Sequence, residues 1–429
     1  MKKPTDVKEL CEFIWYLEKK YDLLDLEIQG VKSWQAYRIE IYYQIGQLSG
    51  VFEKELKRGM SKIEKFKSLR DLIFNSIFKN PFKNLKKVDY LIFSHPRSKV
   101  VDNKPIDIYT QYFIYEINNK HEFIEFEEHF NGKHIREYKS YKRYLDYINL
   151  LRNVKSKFLN IKVSNKQKNI INLIEKEIYE IIGKKYDLYS VLINRTKKFI
   201  VTYNIYKNIL SKIHPKEVYV VVSYGKSELI KVCKDLGIKT IEFQHGTFSK
   251  YHLGYSFPNN KNLDYFPDEF WVWNEYWKNL IEFPIKKENI RIYPFKYLEN
   301  EKQKYKGIQK NKNQLVILGQ GGLTDRMAKK ILDNIDKFKD FNIVFKLHPN
   351  EYNIYKNYFY LMKLKNELKI NIVDNIDLYK LLSESEYQAG VFSTALYEGV
   401  EFGCKTMLFD LPGIEYMDKF IEIYNVDVI

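Results

Sequence analysis

The stretch between residues 218 and 247 limits the possible fold more than any other part of the chain. Residues 218–223 (VYVVVS) are a short β-branched run, which suits a buried parallel strand. Residues 227–236 have apolar side chains at helical spacing, Gly237 is placed to end that helix, and residues 239–243 form a second apolar run. Because two parallel strands need such a crossover, the stretch predicts a β-α-β unit.

The second strand of this unit runs directly into Gln244, His245 and Gly246. In open α/β sheets, ligands bind beside the carboxyl ends of the strands. Gly246 permits a tight turn or a close approach of the backbone to a ligand. An imidazole at this position can bind a phosphate or assist proton transfer. We therefore expect a functional role for His245, with a structural histidine bonded to the next loop as the alternative.

A second alternating β/α array occupies the last third of the chain. Residues 299–313 are polar and lysine-rich, and they are the best candidate for an interdomain linker. Two such arrays predict an α/β protein with two Rossmann-like domains that face a cleft. We divide the chain into a helical N-terminal segment (1–85), a first Rossmann-like domain (86–300) and a second one (301–429).

Local patterns give the individual elements. The predicted strands are 88–94, 218–223, 239–243, 268–273, 290–293, 314–318, 341–347, 369–373, 388–392 and 405–409. The predicted helices are 9–20, 34–57, 61–79, 227–236, 325–338, 377–383 and 395–402, and most of 136–213 is also predicted to be helical.

The net charge of +16 is unevenly distributed, with Lys and Arg in excess in residues 51–90 and 131–170. Such surfaces attract polyanions, although a solvated helix face is the simpler explanation. No nucleic-acid-binding signature accompanies the charge, so we do not expect a nucleic acid partner. Segment 61–79 is amphipathic and basic. It could lie on a membrane surface, but we favour its apolar face lying against the domain.

The cellular compartment is predicted from what the sequence lacks. The N-terminus has no apolar core of a signal peptide, and no run approaches the roughly 20 apolar residues of a membrane span. The three cysteines, Cys11, Cys233 and Cys404, are far apart and fit no metal spacing. We expect a cytoplasmic protein, with peripheral attachment to the inner membrane as an option.

Several loops of the second array could bind an anion. Strand–loop–helix geometry at the GQGG sequence offers backbone N–H groups, although it is neither a full GxGxxG nor a Walker A loop. The hydroxyl groups of Ser393 and Thr394, at the start of a predicted helix, could also bind an anion. The alternative is that one of them only caps the helix. A carboxylate one turn further along could accept hydrogen bonds from ribose hydroxyls. The candidates are Gly319, Gln320, Gly321, Gly322, Lys346, His348, Pro349, Ser393, Thr394 and Glu398.

Loops of the first array give a second group of candidates. His95 and Arg97 follow the strand predicted at 88–94, where an ordinary strand–helix connection is the alternative. Tyr224 breaks the β-α-β unit after its first strand. These residues, together with Gln244 and Gly246, are expected to contact an acceptor substrate. His214 precedes a strand, so we interpret it as structural.

Three segments together, QHGT (244–247), KLHPNE (346–351) and FSTALYEG (392–399), resemble motifs of the GT-B glycosyltransferases that build bacterial surface polysaccharides. The HP and S/T motifs are similar to those of bacterial sialyltransferases and polysialyltransferases. The QHG and HP motifs are similar to those of capsule Kdo transferases. Teichoic acid polymerases that use CDP-polyols look similar as well. The resemblance covers residues 216–412.

The resemblance implies a metal-independent, inverting transfer of an acidic sugar from a CMP-activated donor, with no cofactor. It implies that His348, Ser393 and Thr394 bind the donor phosphate in the second domain. The acceptor, a glycan or a lipid-linked glycan, would bind in the first domain. GT-B enzymes usually end with a helix that returns to the first domain, and residues 417–424 are the candidate.

The residue that deprotonates the acceptor stays open at this point. Sialyltransferases use an acidic D/E-D/E-G motif, which this sequence lacks, so Glu228 and His245 are the candidates. The sugar is then a sialic acid, Kdo or a related nonulosonate. Two other functions compete with this one. The first is a CDP-glycerol or CDP-ribitol phosphotransferase that uses His245 and His348, and the second is a non-catalytic polyanion-binding protein.

Overall fold

The computed structural model describes residues 1–52, 62–130, 132–259 and 263–429. The N-terminal part is helical, as expected, with a short hairpin between its first two helices. Asp6 caps the first helix by accepting a hydrogen bond from the Glu9 backbone. Its elements are α1 (Val7–Tyr21), β1 (Glu27–Ile28), β2 (Val31–Lys32), α2 (Ser33–Ser49) and α3 (Lys62–Phe78). The second helix, predicted at 34–57, ends at Ser49, and residues 53–57 of the prediction lie outside the described residues.

A seven-stranded sheet, parallel throughout, forms the first Rossmann-like domain. Its order is β11-β10-β9-β8-β3-β6-β7, with β4 and β5 forming a separate antiparallel hairpin. The strands are β3 (Tyr90–Ser94), β4 (Lys99–Val101), β5 (Lys104–Ile106), β6 (Phe123–Glu127), β7 (Lys142–Tyr144), β8 (Glu217–Val221), β9 (Lys239–Phe243), β10 (Glu269–Val272) and β11 (Ile290–Ile292).

The helices of this domain connect the strands and cover the sheet. They are α4 (Gln111–Ile117), α5 (Asp146–Lys155), α6 (Asn165–Ile182), α7 (Leu188–Ile213), α8 (Ser227–Asp235) and α9 (Glu275–Lys278). The predicted β-α-β unit is confirmed as β8, α8 and β9, with β8 and β9 parallel neighbours. Among the residues described, no helix is both long and apolar enough to cross a bilayer.

The second Rossmann-like domain has a six-stranded parallel sheet of order β14-β13-β12-β15-β16-β17. Its strands are β12 (Asn311–Leu318), β13 (Asn342–Lys346), β14 (Asn371–Val373), β15 (Ser385–Gly390), β16 (Lys405–Leu408) and β17 (Asp427–Val428). Its helices are α10 (Lys296–Lys304), α11 (Thr324–Asp333), α12 (Ile335–Phe338), α13 (Phe359–Leu368), α14 (Leu378–Glu384), α15 (Thr394–Glu401) and α16 (Asp418–Tyr424). The predicted alternation of strands and helices is confirmed, and the chain has two Rossmann-like domains, each with its own parallel sheet.

Buried apolar side chains join the two domains. One cluster includes residues of α1 and α2, the loops after β9 and β10, and α15 and α16. Trp277 of the first domain lies 4.6 Å, centroid to centroid, from Tyr397 of the second. The expected return of the C-terminal helix is observed, because Tyr424 contacts Tyr276 and Asp418 pairs with Lys250. The boundaries 85/86 and 300/301 stay predictions, and part of the proposed linker is helical, as α10.

Three local expectations were wrong. Residues 99–106 form the β4–β5 hairpin, where no strand was predicted after the one at 88–94. Strand β7 lies in the region predicted to be helical, and its Lys142 is buried against Glu125 and Glu127 of β6. Part of the basic charge of 131–170 is therefore neutralised inside the protein and does not face a partner.

The third error concerns α3, whose apolar face was expected to lie against the domain. The structure shows the reverse. Phe66, Leu69, Ile73 and Ile77 are each about half exposed or more, whereas Asn75 and its neighbour Ser76 are buried. The helix is attached to the protein through its polar side, chiefly against α5.

Candidate functional site

Four loops at the carboxyl edge of the first sheet lie side by side, because β6, β3, β8 and β9 are consecutive in the sheet. Ser94 is paired with Glu127, so the next residues, His95 and Glu128, are neighbours at that edge. Val221 is likewise paired with Phe243. Adjacent strands are separated by about 4.8 Å, so the four loops form one continuous wall of the cleft. The structure thus brings the predicted residues His95, Tyr224 and His245 together.

His245 is held by two tyrosines. The Tyr255 hydroxyl donates to the Glu242 carboxylate at 2.6 Å and lies 3.3 Å from His245 Nδ1. Since that hydroxyl proton is used on Glu242, Nδ1 carries the imidazole proton and donates to the Tyr255 oxygen. His245 Nε2 is then the acceptor, and the Tyr224 hydroxyl lies 3.5 Å from it. The network fixes the ring orientation and its tautomer.

The histidines of this wall are neutral. Burial, reinforced by the neighbouring His95, lowers the pKa of His245 to about 3. Burial lowers the pKa of His252 to about 4, and it also lowers the pKa of His95. A neutral His245 cannot attract a phosphate by charge, and its low pKa makes it a weak base. Its arrangement suits the positioning of a hydroxyl group by hydrogen bonds.

Two His-Pro turns, one in each domain, have the same local geometry. His95 Nδ1 accepts a hydrogen bond from the Arg97 backbone N–H at 3.2 Å. His348 Nδ1 accepts one from the Asn350 N–H at 3.3 Å. In each neutral ring the proton is therefore on Nε2, which makes Nε2 a donor. Pro349 begins the short 3₁₀ turn that His348 caps. His214, by contrast, ends α7, as expected for a structural residue.

The two walls touch at the predicted motifs. The Thr247 backbone N–H donates to Thr394 Oγ1 at 3.3 Å, across the cleft. A Cβ atom on Gly246 would lie 3.4 Å from the same oxygen, which is an ordinary van der Waals contact, so space at this position does not require glycine. Ser393 is the N-cap of α15, since its Oγ accepts from the Ala395 N–H at 3.2 Å. The QHG turn of the first domain and the Ser-Thr motif of the second are therefore in direct contact.

The GQGG loop is fixed by its neighbours in the second domain. Gly319 donates its N–H to the Lys346 carbonyl at 2.7 Å, and a Cβ on Gly319 would lie 2.7 Å from that oxygen. Gln320 Oε1 accepts from the Phe392 N–H at 3.3 Å, which links this loop to the loop before Ser393. Gly321 and Gly322 are exposed at the tip of the loop, before α11.

Two predicted donor-binding side chains are engaged in other contacts. Lys346 Nζ donates to the Leu347 carbonyl and the Tyr352 hydroxyl at 3.2 Å each, and also to the Asp374 carbonyl. Its ammonium group thus stabilises the β13–β14 edge. Glu398 is buried one turn into α15, where burial raises the pKa of its carboxyl group. A neutral carboxyl there could donate as well as accept a hydrogen bond.

Residues on the acceptor side differ in accessibility. Gln244 is buried, and its amide spans the turn by donating to the Gly246 carbonyl at 3.0 Å and accepting from the Trp273 N–H at 3.0 Å. Its contacts are those of a residue that shapes the loop. The Arg97 guanidinium lies 6.0 Å from the Phe130 ring and is exposed at the cleft entrance.

Glu128 is the residue that the sequence did not reveal. Its carboxylate lies 3.5 Å from Lys226 Nζ, and this cation lowers the pKa of Glu128. Its side chain is 40% exposed, and its backbone follows β6 next to the position where His95 follows β3. The predicted candidate Glu228 is instead buried and accepts a hydrogen bond from the Tyr37 hydroxyl at 2.7 Å. The signal for Glu128 was its position directly after β6, a strand that was not predicted.

Within the described part of the chain, no group of three or more His, Cys, Asp or Glu side chains is arranged to hold a metal ion. Comparison with known proteins found no matching family model and no matching curated protein. Among solved structures, UDP-GlcNAc 2-epimerase from Methanocaldococcus jannaschii is similar at 12% identity, with 79% of this chain and 88% of that chain covered and a TM-score of 0.45.

A UGT transferase from Siraitia grosvenorii in complex with UDP is similar at 9% identity, covering 79% of this chain and 84% of that chain, with a TM-score of 0.42. The glycotransferase of kitacinnamycin is similar at 8% identity, covering 80% and 86%, also with a TM-score of 0.42. All three TM-scores are below 0.5. The description of the fold therefore rests on the strand order and the two domains given above.

Proposed function

We propose that this protein is a glycosyltransferase that moves an acidic sugar (a sialic acid, Kdo or a related nonulosonate) from a CMP-activated donor to a glycan or lipid-linked glycan. The observation that carries the proposal is the contact between Thr247 and Thr394. It joins a wall of neutral histidines and an exposed carboxylate to a wall with a helix N-terminus and a His-Pro turn. Transfer between two bound substrates needs two such walls.

The second wall suits the donor. CMP leaves as a monophosphate, so the reaction needs groups that stabilise negative charge on the departing phosphate. In this proposal, His348 Nε2–H, the Thr394 hydroxyl and the N-terminus of α15 supply these hydrogen bonds and a favourable dipole. The GQGG loop lies next to them through the Gln320–Phe392 contact and would border the nucleotide.

The first wall suits the acceptor. In an inverting transfer, the acceptor oxygen attacks the anomeric carbon as the bond from that carbon to the phosphate oxygen breaks, and the acceptor proton goes to a base. We assign this role to Glu128, because it is a partly exposed carboxylate with a lowered pKa at the carboxyl edge of the first sheet. His245, with its fixed tautomer, and His95 position the acceptor hydroxyl. Glu228 stays in the proposal only as a support of Tyr37, because its carboxylate is buried.

The test is turnover of a panel of CMP-, CDP- and UDP-activated donors by the purified protein. We expect hydrolysis or transfer only with CMP-linked acidic sugars. Turnover of UDP-sugars alone would contradict the CMP assignment, and a phosphorus-containing polymer from CDP-glycerol or CDP-ribitol would favour a phosphotransferase. Thermal shift with CMP and CDP separates both from a non-catalytic polyanion-binding protein, because a ligand of the native state raises the melting temperature.

His348→Ala provides the matching test of the donor wall. The variant loses the Nε2–H donor, and we expect turnover to fall by about 10²-fold or more while the melting temperature stays near that of the native protein. His214→Asn is the control, because Asn also tolerates the left-handed conformation that His214 adopts at the end of α7. A folded His348→Ala protein with full activity would remove His348 from the mechanism.

A further inference from the structure

Helix α3 displays its apolar side chains to solvent. Six large apolar residues are between 49% and 71% exposed, and none of the α3 side chains that the structure describes belongs to a buried apolar cluster. At 3.6 residues per turn they occupy about half of the helix circumference, while the polar half contacts the protein. We call these residues the α3 face, which consists of Phe66, Leu69, Ile73, Phe74, Ile77 and Phe78.

Apolar exposure continues onto the neighbouring helix. Leu150, Val154 and Phe158 recur every four residues along α5 and the turn that follows it, and Phe158 is 84% exposed. Because α3 and α5 are in contact, the two helices present exposed apolar side chains in the same region. Soluble monomers rarely leave such a large apolar surface uncovered.

Basic residues accompany this surface. Lys67 lies on α3, Lys83 Nζ lies 5.9 Å from the centre of the Phe78 ring, and Lys86 and Lys87 follow in the chain, all of them exposed. Of the nearby acids, Asp71 is paired with Arg70 at 2.8 Å, and Glu122 is paired with Lys86 at 2.9 Å. Both of these pairs are solvent-exposed, so they reduce the positive potential without removing it. The result is an apolar face with a cationic border.

We propose that the α3 face and its lysine border dock this protein on an anionic lipid bilayer, with α3 lying in the plane of the headgroups. Phe, Ile and Leu enter the boundary of the acyl chains, and the lysines contact anionic headgroups. A second copy of the chain fits less well, since a two-fold contact would bring the same cationic border against itself. The proposal is independent of glycosyl transfer, because docking needs no donor or acceptor.

The first experiment is co-sedimentation of the full-length protein with vesicles in about 0.1 M NaCl, using phosphatidylcholine alone or with about 30 mol% phosphatidylglycerol. We expect binding to the anionic vesicles that weakens as salt is raised. Phe74→Glu/Ile77→Glu should lower the partition coefficient by about tenfold or more, because two exposed apolar anchors become anions. The control is Leu173→Glu, an equally exposed position on α6.

The second experiment addresses charge. Lys83→Ala/Lys86→Ala/Lys87→Ala should weaken binding to anionic vesicles, and the control Lys312→Ala/Lys337→Ala/Lys339→Ala in the second domain should not. All substituted positions are exposed, so circular dichroism melting is expected to show folded variants. Three results would overturn the proposal: no binding of the native protein, native-like binding by Phe74→Glu/Ile77→Glu, or a native dimer that this variant converts to a monomer.

Discussion

At the residue scale, Glu128 and Glu228 are carboxylates in opposite environments. Glu128 is partly exposed and its pKa is lowered by Lys226, whereas Glu228 is buried beneath the Tyr37 hydroxyl and burial raises its pKa. We expect Glu128→Gln to lower kcat by about 10²-fold or more, since a general base contributes about that much. Donor affinity should stay the same, because Glu128 lies on the acceptor wall. Steady-state kinetics with donor binding measured separately provides the check.

Glu228→Gln is the matched control for that prediction. It should change kcat by less than about tenfold and the free energy of unfolding by about 1 kcal/mol or less, because the Gln side-chain oxygen can still accept from the Tyr37 hydroxyl. The reverse ranking would identify Glu228 as the base. In addition, Lys226→Met removes the cation that lowers the pKa of Glu128. The acid limb of the kcat profile should therefore move to higher pH in that variant.

His245 makes a separate prediction about stability and pH. Its pKa is about 3 in the folded protein and about 6.5 when the chain is unfolded, so the unfolded state binds the proton first as pH falls. Stability contributed by neutral His245 is present above about pH 6.5 and is lost as pH falls toward 3. Between about pH 7.5 and pH 5 the loss is roughly 2 kcal/mol.

His245→Gln has no titrating group at this position. Denaturant unfolding at the two pH values should therefore show a smaller loss of stability in the variant than in the native protein, by roughly 2 kcal/mol. The pKa of His252 is also lowered, but this residue is present in both proteins. The loss of stability that it causes at low pH is therefore the same in both. Equal losses would show that His245 is protonated in the folded state, and the tautomer described above would then be wrong.

At the element scale, the apolar runs predicted five of the six strands of the second sheet, but they missed α13, β17 and the β6–β7 edge of the first sheet. Strand β6 reads FIEFE, and its Glu125 and Glu127 are buried by pairing with Arg136 and Lys142. A sequence pattern assigns such charges to the surface, because the pairing partners become neighbours only in the folded chain. Missing β6 also hid Glu128, which follows it directly.

The predicted orientation of α3 was wrong for a related reason. Its periodicity correctly predicted an amphipathic helix, but periodicity does not say which side meets the protein. Asn75 and Ser76 are buried and the apolar side is exposed. The sequence pattern alone predicts the opposite orientation, with the apolar side buried. The positions of the His-Pro turns at 95 and 348 could be predicted from the sequence. The hydrogen bond that each His Nδ1 accepts from a backbone N–H two residues later is seen only in the folded chain.

The loop after β12 gives the prediction at this scale. A Cβ on Gly319 would lie 2.7 Å from the Lys346 carbonyl, which is backbone and cannot move away easily. Gly319→Ala should therefore lower the free energy of unfolding by about 1–3 kcal/mol, as overpacking does. Gly321→Ala meets nothing within 4 Å and should change stability by about 0.5 kcal/mol or less. Similar melting of both variants would show that the loop relaxes.

At the scale of the whole molecule, the sequence predicted two facing domains but not how firmly they are joined. The loop after β9 and the loop before α15 are in contact, because the Thr247 N–H donates to Thr394 Oγ1. The geometry of the cleft is therefore kept only if the two domains are held in a fixed relative position. The apolar cluster that spans both domains supplies this restraint. Its members lie far apart in the sequence, in α1, α9, α15 and α16, so no local pattern could reveal it.

This restraint predicts cooperative unfolding of the two domains. Trp277 is 3% exposed and contacts Tyr397 across the interface. Trp277→Ala should lower the free energy of unfolding by about 3–5 kcal/mol and split a single calorimetric transition into two, since it removes contacts between the domains. Phe338→Ala creates a comparable cavity within the second domain alone and should lower the melting temperature without splitting the transition. A single transition in Trp277→Ala would mean that other contacts, such as Tyr42 with Tyr416, hold the domains together.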